Sequence, residues 1–269
     1  MSDRGRSEAP DISSQMQVGL IGCGNMARAL ARGWGTPLVC TDPVAERARS
    51  LAAEIGGEAL ATNAEVAEQA DLVVLCHKPA QLAAVAAEVE PHAKAVASIL
   101  AATPLAALRE AYPGRPVYRF IPSLPVEVRE GAVVQAAGPE QDAAIDAEVS
   151  ELFAALGVLV VLDDSLVDVA MGLMSCAPAY VALIAEAQID AGVRRGIPAP
   201  QGAELVVQTL AGTAELLRRR ANDTMAIRRE VASPGGLTAR GLDALERGGI
   251  RAAFSDALDA VLDLPAPKR

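Results

Sequence analysis

Short apolar runs alternate with amphipathic stretches over the first half of the chain, the pattern of a sheet wrapped by helices. Seven runs predict strands, at 17–21, 38–41, 72–76, 95–100, 117–121, 132–136 and 158–162. Most are apolar throughout, as in parallel strands covered on both faces. Intervening segments such as 43–55, with Arg47, Arg49 and Glu54 set among alanines and Leu51, carry helical spacing. From Asp164 onward no strand-like run appears. Segments 165–195, 200–220 and 234–262 predict helices, broken at Gly196-Ile197-Pro198 and near Asn222-Asp223. The pattern therefore predicts an α/β fold, with a doubly wound, mostly parallel sheet at 16–163 and an all-helical domain at 164–269. Residues 1–15 are polar and are expected to be a disordered leader, with no apolar core of a signal peptide.

The stretch from Val169 to Ala185 carries no charge. It is near the lower limit of about 17–25 residues for a membrane span, but Gly172, Ser175, Pro178 and Tyr180 interrupt it, so a buried helix is expected. The few helices of the second half are a poor cover for a helix apolar all round. A partner subunit is the natural cover, and a homo-oligomer formed through the helical domain is expected.

Composition narrows the function classes. Of 269 residues, 51% are hydrophobic and only 3% aromatic, so the core is built from Ala, Val, Leu and Ile. A net charge of −10 argues against nucleic acid and anionic membranes as partners. Cys23, Cys40, Cys76 and Cys176 form no CxxC pair and sit in apolar runs, as reduced thiols of a cytoplasmic protein do, and no metal site is suggested.

Two segments carry chemistry. Gly22-Cys23-Gly24-Asn25-Met26-Ala27 places GxGxxA directly after a strand and at the head of a helix. Gly22 allows the tight turn, Gly24 lets the backbone approach a pyrophosphate, and Ala27 lets helix and strand pack closely. This context is that of a Rossmann-type dinucleotide site, with the phosphates met by the free N–H groups of the helix start. Asp42 ends the second strand near the roughly 20-residue spacing at which a carboxylate meets the adenosine ribose; before Pro43 it is equally a turn residue. His77 and Lys78 close the third strand at the carboxyl edge, where ligands bind in such folds. The second segment is Ser233-Pro234-Gly235-Gly236-Leu237-Thr238. Ser233 suits an N-cap and Pro234 a first helical position, so a helix is expected to begin here. Two glycines in its first turn each cost about 1 kcal/mol, unless an anion approaches the backbone with the Ser233 and Thr238 hydroxyls as further donors.

These residues together resemble the pyrroline-5-carboxylate reductase family. The resemblance runs through Gly19-Leu20-Ile21-Gly22-Cys23-Gly24-Asn25-Met26, Asn63, Lys78-Pro79, Arg119-Phe120-Ile121-Pro122, Arg129-Glu130-Gly131, Pro178-Ala179-Tyr180 with Glu186-Ala187, and Gln208-Thr209. Its most specific part is Ser233-Pro234-Gly235-Gly236 with Thr238, followed by Gly241, Leu245-Glu246 and Gly249-Ile250-Arg251. It implies an N-terminal Rossmann domain, a C-terminal helical dimerisation domain with interleaved helices, and an active site between them that uses the partner subunit. It also implies NADPH or NADH as cofactor, held by Gly22, Cys23, Gly24, Asn25, Met26, Asp42, Asn63, His77, Lys78, Pro79 and Ala101. The substrate, a cyclic imino acid, then meets Ser233, Gly235, Gly236, Thr238 and Ser175, with Thr238 as the catalytic side chain.

The chain departs from the family at Ile121-Pro122-Ser123-Leu124-Pro125, where Met-Pro-Asn-Thr-Pro is usual, and at Met174-Ser175-Cys176-Ala177-Pro178, where Ser-Gly-Ser-Gly-Pro is usual. The SPGG motif continues Leu237-Thr238 in place of Thr-Thr. The carboxylate loop is thus largely retained while the nicotinamide surroundings differ.

Reduction of a protonated imine needs positioning more than a strong base. The only histidines are His77 and His92, and the helical half has no lysine before Lys268, against a 3-hydroxyacid dehydrogenase of similar plan with a catalytic lysine on its central helix. A reductase of another cyclic imino acid and a catalytically silent dinucleotide-binding relative remain the alternatives. The arginine runs 218–220 and 228–229 are expected to be solvated helix faces.

Overall fold

The computed structural model describes residues 16–139 and 141–262; the expected leader at 1–15 lies outside the described residues. The chain forms two compact units, meeting in sequence between Cys176 and Ala177.

The first unit contains β1 (Val18–Ile21), α1 (Asn25–Trp34), β2 (Val39–Thr41), α2 (Ala45–Ile55), β3 (Glu58–Ala59), α3 (Asn63–Gln69), β4 (Leu72–Leu75), α4 (Leu82–Val89) and β5 (Val96–Ser98). It continues with α5 (Leu105–Ala111), β6 (Val117–Pro122), β7 (Gly131–Ala136), α6 (Ala143–Ala154), β8 (Gly157–Leu162) and α7 (Val167–Met174). The strands form one sheet in the order β3-β2-β1-β4-β5-β6-β7-β8. Strands β1 to β6 are parallel, β7 is antiparallel to β6, and β8 runs parallel to β7. The expected mostly parallel sheet is therefore present.

Alternate residues of the central strands enter two separate cores. Leu20, Leu72 and Val74 pack with Trp34, Leu51 and Phe153, whereas Ile21, Val73 and Leu75 pack with Val66, Leu108 and Tyr112. Burial on both faces is what makes these strands read as unbroken apolar runs. The few aromatics are concentrated: Phe120 stacks on Phe153 with centroids 3.8 Å apart, and Trp34 meets Phe153 edge-on at 5.6 Å. Trp34 Nε1 donates to Leu152 O at 2.9 Å, so its polar edge is satisfied inside the core.

Strand β3 has no apolar signature and escapes the pattern. It is held by backbone bonds to the β2 segment, Glu58 N to Leu38 O at 3.0 Å and Leu60 N to Cys40 O at 2.8 Å.

The second unit contains α8 (Ala177–Val193), α9 (Ala199–Arg219), α10 (Thr224–Val231), α11 (Leu237–Arg247) and α12 (Ile250–Leu262). It corrects three expectations. Asn222-Asp223 is not only a break: Asp223 caps a further helix, α10, accepting from Met225 N at 2.9 Å and Ala226 N at 3.0 Å. The expected helix 234–262 is two helices, divided at Gly248-Gly249, where Gly249 takes φ +77°. The uncharged stretch 169–185 is divided between α7 and α8, and α8 buries no residue within the chain. By length and composition alone the helical stretch Asp164–Val193 is apolar enough to cross a membrane. The arginine runs sit on exposed faces and are paired, Arg219 and Arg218 with Glu215, Arg220 with Glu230, and Arg229 with Asp223.

Candidate active site

The sheet order reverses between β1 and β4, and the carboxyl ends of strands flanking such a point form the crevice where ligands bind. There the chain leaves β1 through Gly22, whose φ of +97° lies in the left-handed region. A Cβ at Gly22 would lie 2.9 Å from the carbonyl carbon and oxygen of Cys76, so only glycine lets this turn approach the end of β4. Backbone bonds from Gly22 N to Thr41 O at 2.9 Å and from Cys76 N to Ile21 O at 2.8 Å tie the ends of β1, β2 and β4 together.

Gly24 is different. Its backbone is ordinary, with φ −73°, and a Cβ there would meet nothing within 4 Å. Its lack of a side chain keeps space open directly before Asn25 and Met26. Helix α1 has no side-chain cap, which leaves donors of its first turn available to an anion. Helix α3, by contrast, is closed by a capping box between Thr62 and Glu65.

The other expected cofactor residues surround this edge. Asp42 Oδ2 accepts from Cys23 N at 2.8 Å and its Oδ1 from Val44 N at 2.8 Å. The turn role expected for Asp42 is thus real, and the same carboxylate braces the glycine turn. Asn63 begins α3 and donates from Nδ2 to Glu88 Oε2 at 2.9 Å. Lys78 and Pro79 are exposed where a short 3₁₀ turn opens, with Lys78 N donating to Gln81 Oε1 at 3.1 Å. Ala101 comes after β5, half-buried, and its carbonyl accepts from Thr103 Oγ1 at 3.0 Å.

His77 lies beside the Gly22 turn. Its Nδ1 is 2.9 Å from Lys78 O, so the Nδ1–H tautomer donates there, and Nε2 is buried without a partner. Burial holds its pKa below the usual histidine value, and the bond to Lys78 only partly offsets this. A depressed folded-state pKa means the unfolded chain binds the proton first on acidification. The His77 contribution to stability is therefore complete above about pH 6.5 and is lost as pH falls from there through the folded pKa. His77→Gln is expected to flatten the loss of stability between pH 7 and pH 5, measured by denaturant unfolding. An unchanged pH slope would show that His77 titrates as it does in the unfolded chain.

The structure adds residues that the sequence reading did not place in the site. Arg119 on β6 is 1% exposed and pairs with Asp164 at 2.8 Å and Asp168 at 2.6 Å. Asp168 Oδ1 also accepts from Ala102 N at 3.3 Å, and Asp164 Oδ2 from Leu105 N at 2.9 Å. One buried guanidinium thus ties the start of α7 to the loop after β5 that carries Ala101. At the other end of α7, Ser175 Oγ donates to Pro122 O at 3.0 Å, so this expected substrate residue sits against the end of β6 in the first unit. A charged residue inside an otherwise apolar run, Val117 to Ile121, was the available signal: a buried arginine demands acidic partners.

The expected substrate loop belongs to the second unit, and its local structure differs from the reading of Ser233 as N-cap. Gly236 N donates to Ser233 O at 3.0 Å, closing a turn with Pro234 second and Gly235, at φ +72°, third. This is the type II arrangement that proline and glycine favour at those positions. Helix α11 starts only at Leu237, with Gly236 at the cap position and no side-chain cap. The glycines are therefore outside the helix and do not carry the helix-interior cost assigned to them. Ser233 Oγ lies where a Gly236 side chain would go, 2.5 Å from an ideal Cβ, and Thr238 is exposed in the first turn of α11. The turn again delivers an uncapped helix start flanked by hydroxyls.

Comparison with known proteins names this combination. The chain is 36% identical to pyrroline-5-carboxylate reductase of Thermus thermophilus over 91% of its own length and 95% of that protein. The chain belongs to the pyrroline-5-carboxylate reductase family. A family model of pyrroline-5-carboxylate reductase dimerisation matches residues 164–264, and one described as NADP oxidoreductase, coenzyme F420-dependent, matches residues 17–102. The Streptococcus pyogenes reductase structure superposes with a TM-score of 0.83 at 28% identity, covering 92% of this chain and 97% of that one. The Plasmodium falciparum enzyme, solved with NADP bound, gives 0.82 at 25% identity over 91% and 95% of the two chains. The match beginning at Asp164 assigns the helical half to homo-oligomerisation, and so explains apolar helices that the chain leaves uncovered.

Proposed function

We propose that the protein reduces 1-pyrroline-5-carboxylate to L-proline with NADPH or NADH, the closing step of a proline biosynthesis route. The observation that carries this reading is family similarity over nine-tenths of the chain. The residues fit the cofactor: Gly24 leaves its approach open, the bare start of α1 offers N–H donors, and Gly22, Cys23, Asn25, Met26, Asn63, His77, Lys78, Pro79 and Ala101 line the same carboxyl edge. When bound, it supplies the hydride that reduces the C=N bond. In the second unit, the N–H groups opening α11 and the hydroxyls of Ser233 and Thr238 hold the substrate carboxylate, and Thr238 fixes the ring nitrogen. No strong side-chain base is required. His92 comes after α4 at the opposite edge of the sheet, and His77 is kept neutral by burial. Residues 164–269 act as the dimerisation and substrate domain, with a second copy covering α8. Nucleic acid and membrane are not partners in this reading, and the cytoplasm is its place, in keeping with four free thiols.

The test is cofactor oxidation by the purified protein with pyrroline-5-carboxylate, its six-membered homologue and a 3-hydroxyacid in parallel. Highest kcat/KM on the five-membered imine is expected; activity on the hydroxyacid, or on neither imine, overturns the reading. Thr238→Ala is expected to remove a charge-assisted hydrogen bond of about 1.5–3 kcal/mol, lowering kcat/KM for the imine roughly ten- to a hundredfold while cofactor affinity holds. Wild-type kcat/KM in a folded variant would place the carboxylate elsewhere.

Asp42 sets the cofactor preference. Its carboxylate repels a 2′-phosphate and favours NADH, so Asp42→Ser is expected to shift the NADPH-to-NADH ratio of kcat/KM upward. An unmoved ratio would leave Asp42 with its backbone bonds alone.

A further inference from the structure

The two edges of the sheet are built differently. At one end, β3 is two residues long and exposes Glu58, a short and charged edge that resists pairing. At the other end, β8 is six residues, Gly157–Leu162, with no charge, no proline and four β-branched or leucine side chains in a row before Leu162. It pairs with β7 on one side only, so its outer backbone groups face away from the sheet. Val158, Val160 and Val161 are 61%, 42% and 58% exposed. A long, uncharged, apolar edge of this kind is a template for another strand.

The segment after β8 indicates which strand that is. The stretch matched to pyrroline-5-carboxylate reductase dimerisation begins at Asp164, two residues after β8 ends. Leu166, just before α7, and Val169 and Leu173 on it are apolar and exposed in the same unit. The stretch assigned to contact with a second copy thus adjoins β8 along the chain. Isologous pairing about a twofold axis perpendicular to the sheet is necessarily antiparallel. It also separates the acidic ends, since Asp163 and Asp164 of each copy then lie at opposite ends of the paired strands.

We propose that β8 pairs antiparallel with β8 of a second copy, joining two eight-stranded sheets into one across the dimer and covering the three exposed valines. This interface is separate from the helical contacts and does not depend on the proposed reaction.

The test is hydrogen–deuterium exchange on the full-length protein at micromolar concentration, resolved to β8, together with the dimer dissociation constant of Val160→Lys and of Val160→Thr. Pairing predicts slow exchange of every amide from 158 to 162. It predicts at least a tenfold rise in the dissociation constant for V160K, which sets two like charges near the centre of the pair, and near wild-type behaviour for V160T. Alternate amides exchanging at the unprotected rate in the wild-type oligomer would overturn the proposal. So would slow exchange with an unmoved constant in folded V160K, since β8 would then be covered by something other than its own copy. If V160K does not fold, the wild-type exchange pattern decides.

Discussion

Gly24→Val is expected to leave the fold intact and to weaken dinucleotide binding about a hundredfold or more, equivalent to about 2.7 kcal/mol. The two halves of this expectation come from different observations. A Cβ at Gly24 meets no protein atom within 4 Å and the backbone there is in an ordinary region, so the substitution adds no clash and no strain. In the proposed reading, the open space it fills is the one through which an anion reaches the bare first turn of α1. A branched side chain there keeps phosphate oxygens from the N–H groups that α1 leaves unpaired. Gly22 is the internal contrast. Its φ of +97° and its 2.9 Å approach to Cys76 make any side chain there a defect of the fold, so loss of binding in a Gly22 variant says nothing about the cofactor. The measurement is a fluorescence titration with NADPH and with NADH beside a thermal melt. A Tm within a degree or two of wild type together with undiminished affinity would mean that the pyrophosphate does not lie over Gly24.

The parts of this site that the sequence shows are those set by neighbours along the chain. A glycine turn between a buried strand and a helix is encoded within ten residues, and so are the carboxyl-edge positions of Asp42 and His77. The Ser233-Pro234-Gly235-Gly236 turn is visible for the same reason, yet its helix starts later than the motif suggests, at Leu237. Serine before proline is a signal for a helix start and equally for a turn, and only the hydrogen bond from Gly236 to Ser233 separates them. The long-range features escaped the sequence. Arg119 meets Asp164 and Asp168 across 45 and 49 residues, and nothing local at either acid distinguishes it from an ordinary helix-boundary residue. The neutral state of His77 likewise arises from burial by packing, which no motif records. Helix α10 escapes the sequence pattern because Asp223 reads as a breaker, whereas its side chain caps the Met225 and Ala226 amides.

Arg119→Met is expected to destabilise the first unit strongly through a charge network that lies outside its apolar cores. The guanidinium is buried, and both its acidic partners also hold backbone amides, Asp164 that of Leu105 and Asp168 that of Ala102. Removing one member of a buried ion network costs about 3–5 kcal/mol where the remaining charges stay buried. Here Asp164 and Asp168 are 27% and 37% exposed, so water relieves part of that penalty and roughly 3 kcal/mol is expected. In a chain of this size that corresponds to a Tm lower by about 6–12 °C. Methionine preserves most of the volume, so the loss reports the charge network more than a cavity. The network's second consequence is local. With Arg119 gone, Asp168 no longer has a fixed position from which to hold Ala102, a residue at φ +51° that a free loop does not favour. The loop carrying Ala101 then loosens at the carboxyl edge, and cofactor affinity falls along with stability. Asp168→Asn separates the two effects: it keeps an acceptor for Ala102 and weakens only the attraction to Arg119, so it should lower Tm by less than Arg119→Met while leaving the cofactor dissociation constant near wild type. Equal losses of affinity in both variants would show that the charge pair, and not the Ala102 bond, sets the loop. An unchanged Tm in Arg119→Met would remove the network from the account of how this edge is held.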